Sequence, residues 1–269
     1  MRYIDVVEED VDGDRQNEVF ILSIPWSVMT KDRQGDPGEY WYFNAYKKIV
    51  NKYEKIKIKT DNNTIEKLEI PGVRVTGYPT SLDGSAYIKF GDNNMNGLLE
   101  IYLVEYAFGS SPGTIHILEF KNDRLVEIFS ESVEIEGFFN ADEDSIPEFI
   151  TDVYYQSYGI LPELYPYMEK IYKYENGHYK YSKELTIKYV QQLIEYSKSN
   201  LESTRSFDNY LGLLKELLQL GNLGVESALP QAEEIIEKYH HHFIGIKMKF
   251  GEVPSKEEML RDVRNKINE

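Results

Sequence analysis

The chain has 269 residues, 41% apolar and 28% charged, enough for one large domain or two ordinary ones and too apolar for a disordered tail. A formal charge of -16 and a pI near 4.8 exclude nucleic-acid binding through a basic field. With no cysteine there is no disulfide or thiolate metal site, and no run approaches the ~18 apolar residues of a membrane span.

In chain order, residues 3–7 are β-prone and lead into an acidic loop at 10–18. Residues 18–25 read as a strand, 31–38 as a polar turn, and 40–50 as a strand rich in aromatics. In 53–59, Ile56 and Ile58 alternate with Lys, the period of one half-buried strand. Residues 61–83 fit less well and read as an extra hairpin or insertion. Residues 86–90 enter a second loop at 92–100, 98–108 leave it, 109–113 turn, and 114–120 and 125–129 flank a turn at Asn122-Asp123. A third loop at 140–148 lies between strands at 132–139 and 149–155; 165–174 and 179–181 flank the hairpin signal Asn176-Gly177. The repeated order of strand, acidic loop and three further strands predicts four-stranded antiparallel blades over residues 1–182.

Beyond 183 the period becomes helical, and residues 183–269 predict a helical region of about four helices. Leu185, Ile187, Val190 and Ile194 mark the first. Ser206 caps a second that Gly221 would stop. Pro230 opens a third, and Ser255 with Glu258 forms a capping box for the fourth. His240, His241 and His242 lie at a helix end, where cations suit the helix dipole better than a preformed metal site does. Of 22 tyrosines, nine fall between Tyr154 and Tyr181; such density suits strands with a wet edge and also partner binding.

The three loops share one pattern: Asp or Asn at positions 1, 3 and 5, Glu at position 9, then an apolar run. Oxygen donors at alternate positions of a tight loop converge on one point, and a carbonyl at position 7 (Gln16, Leu98 or Ile146) adds another. A hard cation such as calcium needs six to eight oxygens at about 2.3–2.6 Å. The EF-hand is a poor match, since its glutamate at position 12 is missing and the loops lie between strands.

These stretches resemble the FG-GAP / VCBS repeats of integrin-α-like propellers, whose loop runs Asp-x-Asp/Asn-x-Asp-Gly-x-x-Asp. The resemblance implies a mainly β, propeller-like fold, calcium in up to three sites, and a place outside the bacterial cell or in its envelope. It implies as ligands Asp10, Asp12, Asp14 and Glu18; Asp92, Asn94, Asn96 and Glu100; Asn140, Asp142, Asp144 and Glu148. The ninth residue is Glu where the family has Asp, and the family's glycine at position 6 survives only as Gly97, with Arg15 and Ser145 elsewhere. Four carboxylates in loop 1, three in loop 3 and two in loop 2 make loop 2 (92–100) the weakest site. Three loops fall short of the four to eight blades of a closed propeller, so the array is incomplete unless 61–83 supplies part of another blade.

No nucleophile elbow, Walker loop, glycine fingerprint or Cys–His pair is present. The leading expectation is a non-catalytic, calcium-stabilised protein that binds a protein or glycan. The alternatives are a polysaccharide hydrolase using an acid pair on the same scaffold, and an intracellular interaction protein whose acidic loops are metal-free turns. The first residues hold no apolar signal region, as expected of a cytoplasmic chain or of a trimmed exterior one.

Overall fold

A computed structural model describes residues 2–24, 40–60, 63–71, 88–104, 114–132, 134–142, 144–154, 167–248 and 251–268. The expected turns at 31–38 and 109–113, and residues 72–83 of the expected insertion, lie outside the described residues. The chain divides into two compact units, Met1–Thr151 with Tyr172–Lys180, and Asp152–Ile171 with Tyr181–Glu269.

The first unit is mainly β. Sheet 1 joins β1 (Arg2–Glu9), β2 (Glu18–Ile24), β3 (Tyr40–Ile49) and β4 (Lys52–Ile56) in that order, with β7 (Leu68–Pro71) on the first half of β3. Sheet 2 has the order β6-β5-β11-β10-β9-β8, from β5 (Ile58–Lys59), β6 (Thr64–Ile65), β8 (Ile88–Gly91), β9 (Glu100–Val104), β10 (Thr114–Lys121) and β11 (Arg124–Ser132). Sheet 3 joins β12 (Glu134–Phe139), β13 (Glu148–Tyr154), β14 (Tyr167–Glu175) and β15 (His178–Tyr181), the last three strands each having residues in both units. Each sheet therefore contains four consecutive strands side by side in chain order. Among the described residues, none of the sheets closes into a barrel.

Residues 53–59, expected as one strand, form two. β4 pairs antiparallel with β3 of sheet 1, and β5 pairs parallel with β11 of sheet 2. Lys57 is the junction, its carbonyl accepting from Leu125 N–H at 2.9 Å. Ile56 and Ile58 keep their alternation and are both buried in a core that also holds Phe20, Phe43, Ile101 and Leu125. The sheet switch thus leaves the apolar face inward. The expected insertion is divided likewise, β6 joining sheet 2 and β7 joining sheet 1. Where sheets 2 and 3 meet, Phe149 packs against Phe129, Tyr172 and Tyr179 with ring centroids 5.0, 5.1 and 4.8 Å away.

Among the described residues the second unit holds four α-helices: α1 (Lys183–Thr204), α2 (Phe207–Asn222), α3 (Ala228–Tyr239) and α4 (Lys256–Asn268). Ser182 Oγ caps α1 by accepting from Leu185 N–H, and Ser206 Oγ caps α2 from Asn209 N–H. Ser255 and Glu258 form the expected reciprocal box ahead of α4, Ser255 N–H donating to Glu258 Oε2 at 2.9 Å and Glu258 N–H to Ser255 Oγ at 3.3 Å. Pro230 sits in the first turn of α3, where its missing N–H costs nothing. Gly221 does not stop α2. It lies buried within the helix, and the left-handed residue past the end is Gly224, with φ +82°. His240 is not a cationic cap either: burial pushes its pKa down, and its Nδ1 lies 3.3 Å from Tyr210 Oη inside the core.

Candidate cation loops

The three acidic loops fold by local bonds that their spacing dictates. Asp and Asn side chains reach a backbone N–H two residues on, forming Asx turns. The position-3 side chain accepts from the N–H of position 5 in every loop, at 3.1 Å (Asp12), 3.1 Å (Asn94) and 3.2 Å (Asp142). The position-5 side chain accepts from position 7 at 2.8 Å (Asp14), 2.8 Å (Asn96) and 2.7 Å (Asp144). The ninth-position glutamate, first residue of the following strand, turns back and accepts from the N–H of position 2, at 3.2 Å (Glu18), 2.7 Å (Glu100) and 2.7 Å (Glu148). Asp10 and Asp92 also accept from the N–H of position 6, at 2.8 and 3.0 Å. Arg15 holds φ +70° in order to offer that N–H, where loop 2 has Gly97 at +86°. Asn140 differs, its amide donating to the Asp144 carbonyl.

A residue outside each loop completes it, and nothing within the nine-residue pattern signals that residue. Lys47 on β3 donates to Asp12 and stands 2.8 Å from Asp14 Oδ2. Lys173 on β14 donates to Asp142 and stands 2.9 Å from Asp144 Oδ2. In loop 2 the donor and acceptor roles are reversed. Glu119 on β10 accepts from the side-chain amides of Asn94 at 2.7 Å and Asn96 at 3.1 Å. All three partners sit on the third strand of their meander, three residues before a two-residue turn that opens at left-handed Val50, Asn122 or Asn176. That offset is the one signal in the sequence that could have found them.

The pKa shifts follow these contacts. Burial works against the charge of Lys47, but the bonds to Asp12 and Asp14 outweigh it and hold the ammonium well above its ordinary range. The bonds from Asp142 and Asp144 do the same for Lys173. Asp14 and Asp144 are held below the usual carboxylate value, first by those lysines and then by the backbone N–H of Gln16 and Ile146. Burial pushes Glu18 up to about 7 and raises Glu148 and Glu100 as well.

The ninth-position glutamates differ in how their second oxygen is satisfied. Glu100 is fully bonded: Tyr102 Oη donates to Oε2 at 2.9 Å and Tyr179 Oη to Oε1 at 3.0 Å. Glu18 and Glu148 are as deeply buried, yet Oε1 of each has no hydrogen-bond partner among the described residues. In loop 1, oxygens of Asp10, Asp12 and Glu18 lie within 4.8 Å of one another, and in loop 3 those of Asp142, Asp144 and Glu148 do. Two oxygens on one calcium ion are at most about 5 Å apart, so each cluster fits one ion. The structure thus groups six of the twelve expected ligands into two acidic clusters able to hold a metal ion. Asp14 stands outside the loop 1 cluster, and the Asn140 amide turns to a carbonyl. Asp92, Asn94, Asn96 and Glu100 enter a hydrogen-bonded network instead.

Comparison with protein-family models, with curated proteins and with solved structures gives no match. Among the described residues, no helix is long and apolar enough to cross a membrane.

Proposed function

We propose that this chain is a non-catalytic binding or structural protein of the bacterial envelope or exterior, built on FG-GAP/VCBS-type propeller repeats, with calcium as the ion of loops 1 and 3. The observation that carries the calcium reading is the pair of buried, unpartnered oxygens on Glu18 and Glu148, beside two further carboxylates each. A buried acceptor without a donor is costly, and an ion removes that cost. Asp10, Asp12 and Glu18 would hold one ion, and Asp142, Asp144 and Glu148 the other. Calcium would act on folding, by joining loop to strand. Loop 2 has no such need, its glutamate being satisfied by two phenols. The partner is a protein or a glycan.

Calorimetric titration of the full chain with calcium tests the metal. Two sites are expected, one lost in Glu18→Gln and the other in Glu148→Gln, with neither lost in Glu100→Gln. No uptake in the wild type would leave the loops as metal-free acidic turns. A glycan panel tests the class: binding without turnover is expected of the module, whereas hydrolysis would overturn it in favour of an enzyme.

A further inference from the structure

We infer that Lys47 and Lys173 are the resident cations of loops 1 and 3: each ammonium bridges the position-3 and position-5 aspartates, and a divalent ion, which needs at least the position-3 aspartate, enters only by displacing it. The first half of this inference stands on the contacts alone. The second rests on the calcium reading above.

Three observations carry it. Each lysine reaches both aspartates of its loop at once, Lys47 at Asp12 and Asp14 and Lys173 at Asp142 and Asp144. A lysine ammonium has three donors and no acceptor, so it can bridge two carboxylates as a compact cation does. The arrangement occurs twice, from strands far apart in sequence but at the same offset from their hairpin turns. Loop 2 is the internal control. There the aspartates at positions 3 and 5 are replaced by Asn94 and Asn96, and the third-strand residue is Glu119. The backbone N–H groups of Asn96 and Leu98 occupy the amide oxygens, so the amide nitrogens face inward and require an acceptor. Glu119 is itself neutralised by Lys121 at 3.1 Å and bonded by Tyr174 Oη at 2.9 Å. Third-strand residue and loop residues thus exchange donor and acceptor roles together within one chain. An incidental surface salt bridge would give no reason for that match.

The test uses the full chain with Lys47→Met and Lys173→Met, which keep most of the aliphatic stem, and Lys47→Arg, which keeps the charge. In EDTA, both Met variants should unfold at a lower temperature than wild type and Lys47→Arg close to it; Met variants that melt with wild type would overturn the resident-cation role. Calcium should restore the Met variants and bind them roughly tenfold or more tightly than it binds wild type. Unchanged affinity would overturn displacement. Lys47→Glu should be destabilised, and Asp12→Asn with Asp14→Asn on that background should restore it by copying loop 2. Failure of that rescue would also overturn the inference. If no form takes up calcium, the calcium reading falls, while the melting order in EDTA still decides the role of the lysines.

Discussion

A Cβ on Gly221 would lie 2.8 Å from Ile267 Cγ1 and 2.9 Å from its Cγ2, so the missing side chain is what lets α2 meet α4. Alanine would gain about 1 kcal/mol of helix propensity there but overpack by about 1–3 kcal/mol. Gly221→Ala is therefore expected to lower stability in urea unfolding, and to cost nothing further once Ile267→Ala has made room. His240 is the other residue whose environment sets a measurable property. Burial depresses its pKa in the folded chain below the unfolded value near 6.5. The unfolded chain thus binds the proton more readily, and the neutral buried ring is favoured only at higher pH. Stability from this residue is fully present above about 6.5 and is lost as pH falls through that value toward the lower folded pKa. Between about pH 7.5 and pH 5.5 the wild-type melting temperature should fall more than that of His240→Gln; equal slopes would exclude the role.

At the scale of elements, the loops show that one pattern of Asx turns supports two electrostatic solutions. Both loop 1 and loop 2 bend at position 6 through a left-handed residue, Arg15 or Gly97. A side chain there costs about 1–2 kcal/mol, partly offset by the greater unfolded-state freedom of glycine. Arg15 is exposed. Arg15→Gly is expected to raise stability by roughly 0.5–1 kcal/mol in denaturant unfolding. A loss would mean that the Arg15 side chain contributes a contact outweighing the strain.

Across the larger assembly of the β unit, loop 2 is where sheets 2 and 3 are tied. Tyr179 from β15 donates to Glu100, and Tyr174 from β14 donates to Glu119. Lys121 closes the group by donating to the Gly177 carbonyl in the β14–β15 turn at 3.3 Å. Tyr179→Phe keeps the ring packing on Phe149 but leaves Glu100 Oε1 without its donor, at a cost of about 1–3 kcal/mol. In a double-mutant cycle with Glu100→Gln, the two changes should be strongly non-additive; additivity would show that the phenol and the carboxylate do not act as a pair.

Much of this architecture is local, and local features are legible in a chain read by itself. Asx turns need only residues two apart, helix caps only three, and strand alternation only a run of five or so; hence the acidic loops, the Asn122-Asp123 and Asn176-Gly177 turns and the capping box of α4 all follow from residue order. What residue order did not disclose depends on pieces brought together from far apart. Lys47 stands 35 residues from Asp12, and Lys173 31 residues from Asp142. Ile56 and Ile58 read as one strand because their alternation is unbroken, yet they pair in different sheets. Gly221 reads as a helix stop because its use as a contact point requires Ile267. The pattern of oxygen donors was therefore determined by sequence alone. Whether those oxygens face an ammonium, a pair of phenols or no partner was decided only by the tertiary structure, because the counter-charge arrives on another strand and electrostatic pairing acts through distance in space, not separation along the chain.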